Sequence, residues 1–247
     1  MNLEELIEHS YTIFGKYTIG KTLDVCKRCC VSDSDEAALV NTPLRQISTQ
    51  QLRSGYFESA RSNSDQELWE MKHFLPRVLE LMANFEVPDA STETVFYRLN
   101  LANRDKWPSE ELQLLSDYSV LFFEKCLAYF PYSPDDCDIS TYLLMFSAAH
   151  FDLKPILKSW EKVDTLESLL NFNEFVLTGT EFNSENKLIL KNTYADAEND
   201  KAIVDWLNDK NVKANFSKKI TRILQENKSL NKETFEELSF LNELLVV

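Results

Sequence analysis

Apolar residues return along this chain at three- and four-residue steps far more often than in alternation, the spacing of helices that bury one face. Leu3, Leu6, Ile7, Tyr11 and Phe14 open the pattern, and Gly15 stands where a helix C-cap would sit. Residues 16–26 are rich in β-branched side chains and predict extended chain or a short strand. Asp33 with Glu36 resembles a capping box ahead of Ala37, Ala38 and Leu39, and Pro43 ends that short helix. Ser48 with Gln51 starts a helix toward Ala60, and Ser64 with Glu67 starts another, in which Leu68, Leu75, Val78, Leu79 and Met82 share a face. Pro76 inside that run predicts a kink or a restart beside His73.

Further on, the pattern predicts a helix over residues 92–104, then the strongest one, carried by Leu112, Leu115, Ser119, Phe122, Phe123 and Cys126. Ile139, Leu143, Phe146 and His150 continue it, with His150 read as a partly buried histidine of the apolar stripe. Two more helices follow Pro155 and Asp164. Residues 183–192 predict a short helix or an exposed excursion, residues 202–228 one or two helices, and Phe235, Leu238, Leu241 and Leu245 a last amphipathic helix. About ten helices joined by short polar breaks predict an all-α fold, an irregular multi-helix bundle of stacked antiparallel helical hairpins, with an α-solenoid as its variant. The whole of residues 1–247 reads as one helical domain, with a cysteine-containing subregion at 16–85 and a helical remainder at 86–247.

Composition sharpens this picture. Only four glycines serve 247 residues, which starves the chain of the positive-φ positions that hairpins and phosphate loops use and argues for helices. The first residues are acidic where a secretory leader is basic, and no apolar run is long enough to span a bilayer, so a soluble, cytoplasmic protein with no membrane role is expected. A net charge of −14 argues against nucleic acid as a partner. The charge is uneven, however: residues 16–61 hold seven basic against five acidic side chains. Aromatic residues make up 12% of the chain and supply anchors for a protein partner.

Candidate chemistry concentrates at Cys26-Lys-Arg-Cys29-Cys30, because thiolates three residues apart can reach one metal ion. A structural zinc site takes four ligands, and the sequence offers no second C-x-x-C; His73 is the fourth ligand to consider. Two other readings stand beside zinc: a redox dithiol activated by Lys27 and Arg28, and reduced cysteines that merely fill apolar gaps. Arg45 and Arg77 are candidates for contacting an acidic ligand or a partner. Glu70 and His73 have the Glu-x-x-His spacing of di-iron bundles, but the second copy such bundles need is missing. Asp135, Asp136 and Asp138, and again Asp196, Glu198 and Asp200, suit helix N-termini better than a hard cation. Residues 15–22 match the Walker A spacing, Gly15-x-x-x-x-Gly20-Lys21-Thr22, yet a helix precedes them and a cysteine loop follows, the wrong context for a phosphate cradle. No catalytic constellation is complete. The expectation is therefore a non-enzymatic helical interaction or regulatory protein without a cofactor. The alternatives are a zinc-binding protein built on Cys26, Cys29 and Cys30, and an enzyme or acidic-ligand binder that uses the basic N-terminal segment.

The set of short motifs Cys26-x-x-Cys29-Cys30, Thr42-Pro-Leu-Arg45, Tyr56, Ala60, His73-Phe-Leu-Pro-Arg77 and Leu79-Glu80-Leu81 resembles a bacterial family to which no activity is attached. The resemblance leaves the C-terminal half unassigned. It implies that the cysteine loop and the His-Phe-Leu-Pro-Arg helix belong to one structural unit.

Overall fold

The computed structural model describes residues 1–131, 137–227 and 230–246. It is 65% helical, and its one sheet among the described residues has two strands, so the fold is all-α and multi-helical. Contacts divide the chain into two compact units, Met1–Phe122 with Ala148–Phe151, and Phe123–Ser147 with Asp152–Val247.

The first unit begins with α1 (Leu3–Ile13), started by a reciprocal capping box between Asn2 and Glu5 and burying Leu6, Ile7 and Ile13. Next come α2 (Asp33–Asn41), the single turn α3 (Thr49–Leu52) with a π-helical turn at Arg53–Phe57, and α4 (Asp65–Ala83). The Ser48–Gln51 capping box opens α3 as its spacing predicts. Helix α4 is the spine: Met71, Phe74, Leu75, Val78, Leu79 and Met82 are fully buried on it. It runs through Pro76 without a restart. Around it lie Tyr56, Phe96, Leu99, Tyr118 and Phe122, the last two stacked at 5.6 Å along α5 (Ser109–Cys126). Each such buried aromatic contributes about 1.5–3 kcal/mol by leaving water.

Two buried ion pairs brace this unit. Arg98, only 3% exposed, pairs with the equally buried Glu67 and also donates to the backbone carbonyls of Tyr56, Phe57 and Ser59. Lys72 donates to Glu111 at 2.9 Å and to the Lys106 carbonyl at 2.8 Å, while the Tyr17 hydroxyl donates to Glu111 at 2.7 Å. Buried charges persist only when paired and hydrogen-bonded in this way.

The second unit is built from α6 (Ile139–Ala148), α7 (Lys154–Trp160), α8 (Leu166–Gly179), α9 (Ala197–Asn208), α10 (Lys210–Glu226) and α11 (Lys232–Val246). Its core is an aromatic cluster on Trp160, which meets Phe123, Phe172, Phe175 and Trp206 at ring distances of 5.4–5.8 Å. Phe172 and Phe216 stack face to face at 3.8 Å. Asp209 breaks the 202–228 run into two helices by capping α10 through the Asn211 and Val212 amides. Asp138 accepts from the Thr141 amide at the start of α6, and Asp196 caps α9, the helix-start role read from their positions. Asp135 and Asp136 lie outside the described residues.

Several local expectations are corrected. Residues 183–192 belong to a hairpin, β1 (Thr180–Phe182) paired antiparallel with β2 (Leu188–Leu190). Its turn takes positive φ at Asn186, not at glycine. None of the four glycines adopts positive φ; Asn63, Asn100 and Asn186 do, together with Phe85, His150 and Ala195. Asparagine tolerates the left-handed region, so scarcity of glycine did not forbid a hairpin. Residues 92–104 form short 3-10 turns that stop at left-handed Asn100. Residues 16–26 form no strand. His150 is exposed and lies beyond α6 in a left-handed turn, which carries it off the apolar stripe.

Candidate metal centre

The loop from Leu23 to Val31 has no regular structure, so its shape depends on where its backbone groups find partners. Three of its amides donate to side chains distant in sequence. The Leu23 amide reaches Glu36 Oε1 on α2 at 2.7 Å, the Asp24 amide reaches both Glu70 carboxylate oxygens on α4 at 3.0 Å, and the Cys26 amide reaches Ser59 Oγ at 2.7 Å. The loop then closes on itself, the Cys30 and Val31 amides both donating to the Cys26 carbonyl. Lys27 Nζ ties it again to Glu36 at 2.7 Å and Asp33 at 3.2 Å. The Asp24 carboxylate accepts from the hydroxyls of Ser62 and Ser64, and those bonds hold its pKa below the usual carboxylate range.

These anchors explain two differences from the sequence pattern. The cap of α2 is Ser32, whose side chain accepts from the Asp35 amide, and not Asp33. Glu36 is thereby released from the capping role its spacing suggested and holds the loop instead. Glu70, whose pKa is raised by burial, turns to the Asp24 amide and Gln66. Beneath both, Arg98 holds the Ser59 carbonyl and so fixes the residue whose hydroxyl receives the Cys26 amide.

The result is a cluster of three sulfurs. Cys26 Sγ lies 3.7 Å from Cys29 Sγ, Cys29 Sγ lies 3.3 Å from Cys30 Sγ, and all three fall within 4.8 Å of one another. A zinc ion with bonds of about 2.3 Å to sulfur places tetrahedral ligands about 3.8 Å apart, so these thiols can take one ion with little movement. Cys26 and Cys30 are half-buried and Cys29 is exposed. The backbone N–H of Arg28 faces the Cys26 sulfur first, followed by the Cys29 thiol and the Cys29 N–H, and together they lower the Cys26 pKa. Hydrogen bonds to Cys30 and Cys26 push Cys29 up to about 11. Of the three sulfurs, Cys26 is the one whose neighbouring N–H groups favour the ionised form.

His73 is not in this group. It sits half-buried on α4 with Nδ1 2.8 Å from the Tyr17 carbonyl, and burial lowers its pKa. The structure also gives both candidate arginines internal partners. Arg45 makes a two-bond fork with Glu8 at 2.8 and 2.7 Å and stacks on Tyr11 at 3.7 Å. Arg77 donates to the Ile47 carbonyl at 2.7 Å and to Glu80 at 2.6 Å, and Glu80 also accepts from Tyr11. Together these contacts tie α1 and α4 to residues 45–47. The Walker-like residues begin inside the 3-10 turn Phe14–Lys16 that follows α1, with no helix after Thr22 until Asp33.

Ser59, Glu36 and Glu70 had no local signal as loop anchors, since their partners lie 13 to 46 residues away. The cysteine loop and the helix carrying His73 and Arg77 do share the first unit. Comparison with family models, with curated proteins and with solved structures finds no match, so the motif resemblance assigns no family. Among the described residues no helix is long and apolar enough to cross a membrane.

Proposed function

We propose that this protein binds a thiophilic metal ion, zinc in the first instance, through Cys26, Cys29 and Cys30. The observation that supports the reading is the convergence of three sulfurs on one anchored surface loop. Thiolate donors select zinc and copper(I) over hard cations. The scaffold's part is to hold the ligands in place before the metal arrives, through the amide contacts to Ser59, Glu36 and Glu70. Metal analysis of protein purified under reduction and reconstituted with zinc tests this. About one equivalent is expected, falling sharply in Cys29→Ser, and retention below about a tenth of an equivalent sinks the proposal.

A partner-binding role of the same helical scaffold is the second reading. Phe235, Phe240 and Val246 of α11, exposed at 47%, 51% and 74%, favour it, since exposed aromatics on one helix suit a docking face. Affinity capture with wild type and with Phe235→Ser/Phe240→Ser compares the two; a partner retained equally by both removes α11 from consideration.

A further inference from the structure

The coordination such a metal would have follows from which donors remain within reach. Three thiolates leave a tetrahedral ion one ligand short, and closed structural zinc sites carry four protein ligands, whereas sites with three keep an exchangeable position. The side chains around the loop are otherwise engaged. Asp24 accepts from Ser62 and Ser64, Glu36 from the Leu23 amide and Lys27, Glu70 from the Asp24 amide and Gln66, and Asp33 faces Lys27. His73 holds the Tyr17 carbonyl through Nδ1 and stands outside the sulfur group. Moving Glu36 or Glu70 onto the metal would strip the Leu23 or Asp24 amide of its acceptor, and moving Asp24 would strip the Ser62 and Ser64 hydroxyls of theirs, which costs more than a solvent ligand does. Cys29, the most exposed of the three, leaves the metal's outer side toward water.

Charge narrows the class of the missing ligand. Three thiolates around a divalent ion carry a net −1, so a fourth anion is disfavoured unless a cation stands by. Lys27 is engaged by Asp33 and Glu36, but Arg28, exposed and inside the loop, has no ion-pair partner among the described residues. A metal selected by sulfur favours a soft fourth donor over water or carboxylate. Resting on the metal reading above, we infer that the centre is coordinatively open and that its fourth position accepts the thiolate of a small acidic thiol, whose carboxylate Arg28 attracts. As the sulfur–metal bond forms, the incoming thiol releases its proton to solvent and displaces a water molecule; no electron changes hands.

The test uses the full-length protein, reduced and loaded anaerobically with one equivalent of cobalt(II), whose sulfur-to-metal charge-transfer absorption counts thiolate ligands. Titration with 3-mercaptopropionate is expected to raise that absorption saturably by about a third, as a fourth cobalt–sulfur bond joins three. Propionate at the same concentrations leaves it unchanged. Arg28→Gln weakens half-saturation by 3-mercaptopropionate about threefold, the size of one exposed charge pair, and leaves that of uncharged 2-mercaptoethanol alone. An absorption that neither thiol alters means that the chain closes its own site and overturns the inference while preserving metal binding. A cobalt-dependent dimer on sizing overturns it as well, by assigning the fourth ligand to a second copy. Failure to take up cobalt or zinc before any thiol is added removes the metal reading itself.

Discussion

Gly55→Ala tests whether the anchoring of the cysteine loop depends on how closely α2 approaches the π-helical turn. Gly55 has an ordinary backbone conformation, so its role is space. A Cβ placed there would stand 2.9 Å from both Cβ and Cδ2 of Leu39 and 3.1 Å from the Asp35 carbonyl. Leu39 is fully buried and Asp35 is α2 backbone, so neither yields without moving the helix. Relief of an overlap of this kind costs about 2 kcal/mol, which in a chain of this size lowers Tm by about 4–8 °C. Because Glu36 lies one turn before Leu39, the same displacement lengthens its bond to the Leu23 amide and weakens metal binding about tenfold, the effect of losing a supporting contact around metal ligands. Thermal melts followed by far-UV circular dichroism, with zinc competition on the folded protein, read both effects. Leu39→Ala supplies the control: by removing Cδ2 it opens room, so Gly55→Ala in that background costs less than about 0.5 kcal/mol. A Gly55→Ala protein melting within about 1 °C of wild type, or costing the same in both backgrounds, refutes the packing argument.

Ser59→Ala deprives the Cys26 amide of its acceptor; zinc affinity is expected to fall about tenfold while global stability changes by only about 1 kcal/mol, and a chelator competition showing wild-type affinity would remove Ser59 from the site. Arg98→Met leaves Glu67 buried without its cation and three carbonyls without their donor, a loss of about 3–5 kcal/mol in urea unfolding that Glu67→Gln in the same chain partly restores. His73, whose folded pKa is depressed from 6.5 by burial, binds protons more weakly in the folded than in the unfolded state. Its penalty is therefore absent above pH 6.5, grows as pH falls through that value, and levels off below the folded pKa. His73→Gln should show a shallower fall in Tm between about pH 7 and 5 than wild type, and parallel profiles would contradict the assignment.

What the residue pattern reveals well is the set of long helices. The apolar stripes of α4, α5 and α10 survive because their three- and four-residue spacing is a property of the helix itself, and the capping box at Ser48 and the Ser64 cap act within one turn. Short elements are less legible because tertiary context decides them. Residues 92–104 carry enough apolar positions for a helix, but Asn100 turns left-handed and Leu99 is buried by a 3-10 turn instead. The hairpin at 180–190 escapes a search for glycine because Asn186 supplies the positive φ and Asn183 accepts from the Glu185 and Lys187 amides across the turn.

The same division between local and distant causes runs through the candidate site. The cysteine spacing reveals the sulfur cluster because Cys26, Cys29 and Cys30 meet within one tight loop, closed by the Cys30 and Val31 amides on the Cys26 carbonyl. Their support is invisible in that stretch: Glu36, Ser59 and Glu70 come from three separate segments, and Arg98 reaches Ser59 from a fourth. A search for a fourth ligand along the chain leads to His73, which the fold places outside the sulfur group. The absence of a second C-x-x-C then has a different meaning from an incomplete zinc finger. In a finger the metal organises the chain, so all four ligands must be the chain's own. Here the Leu23, Asp24 and Cys26 amides find acceptors on α2, on α4 and at Ser59, so the fold itself supports the loop that carries the three sulfurs.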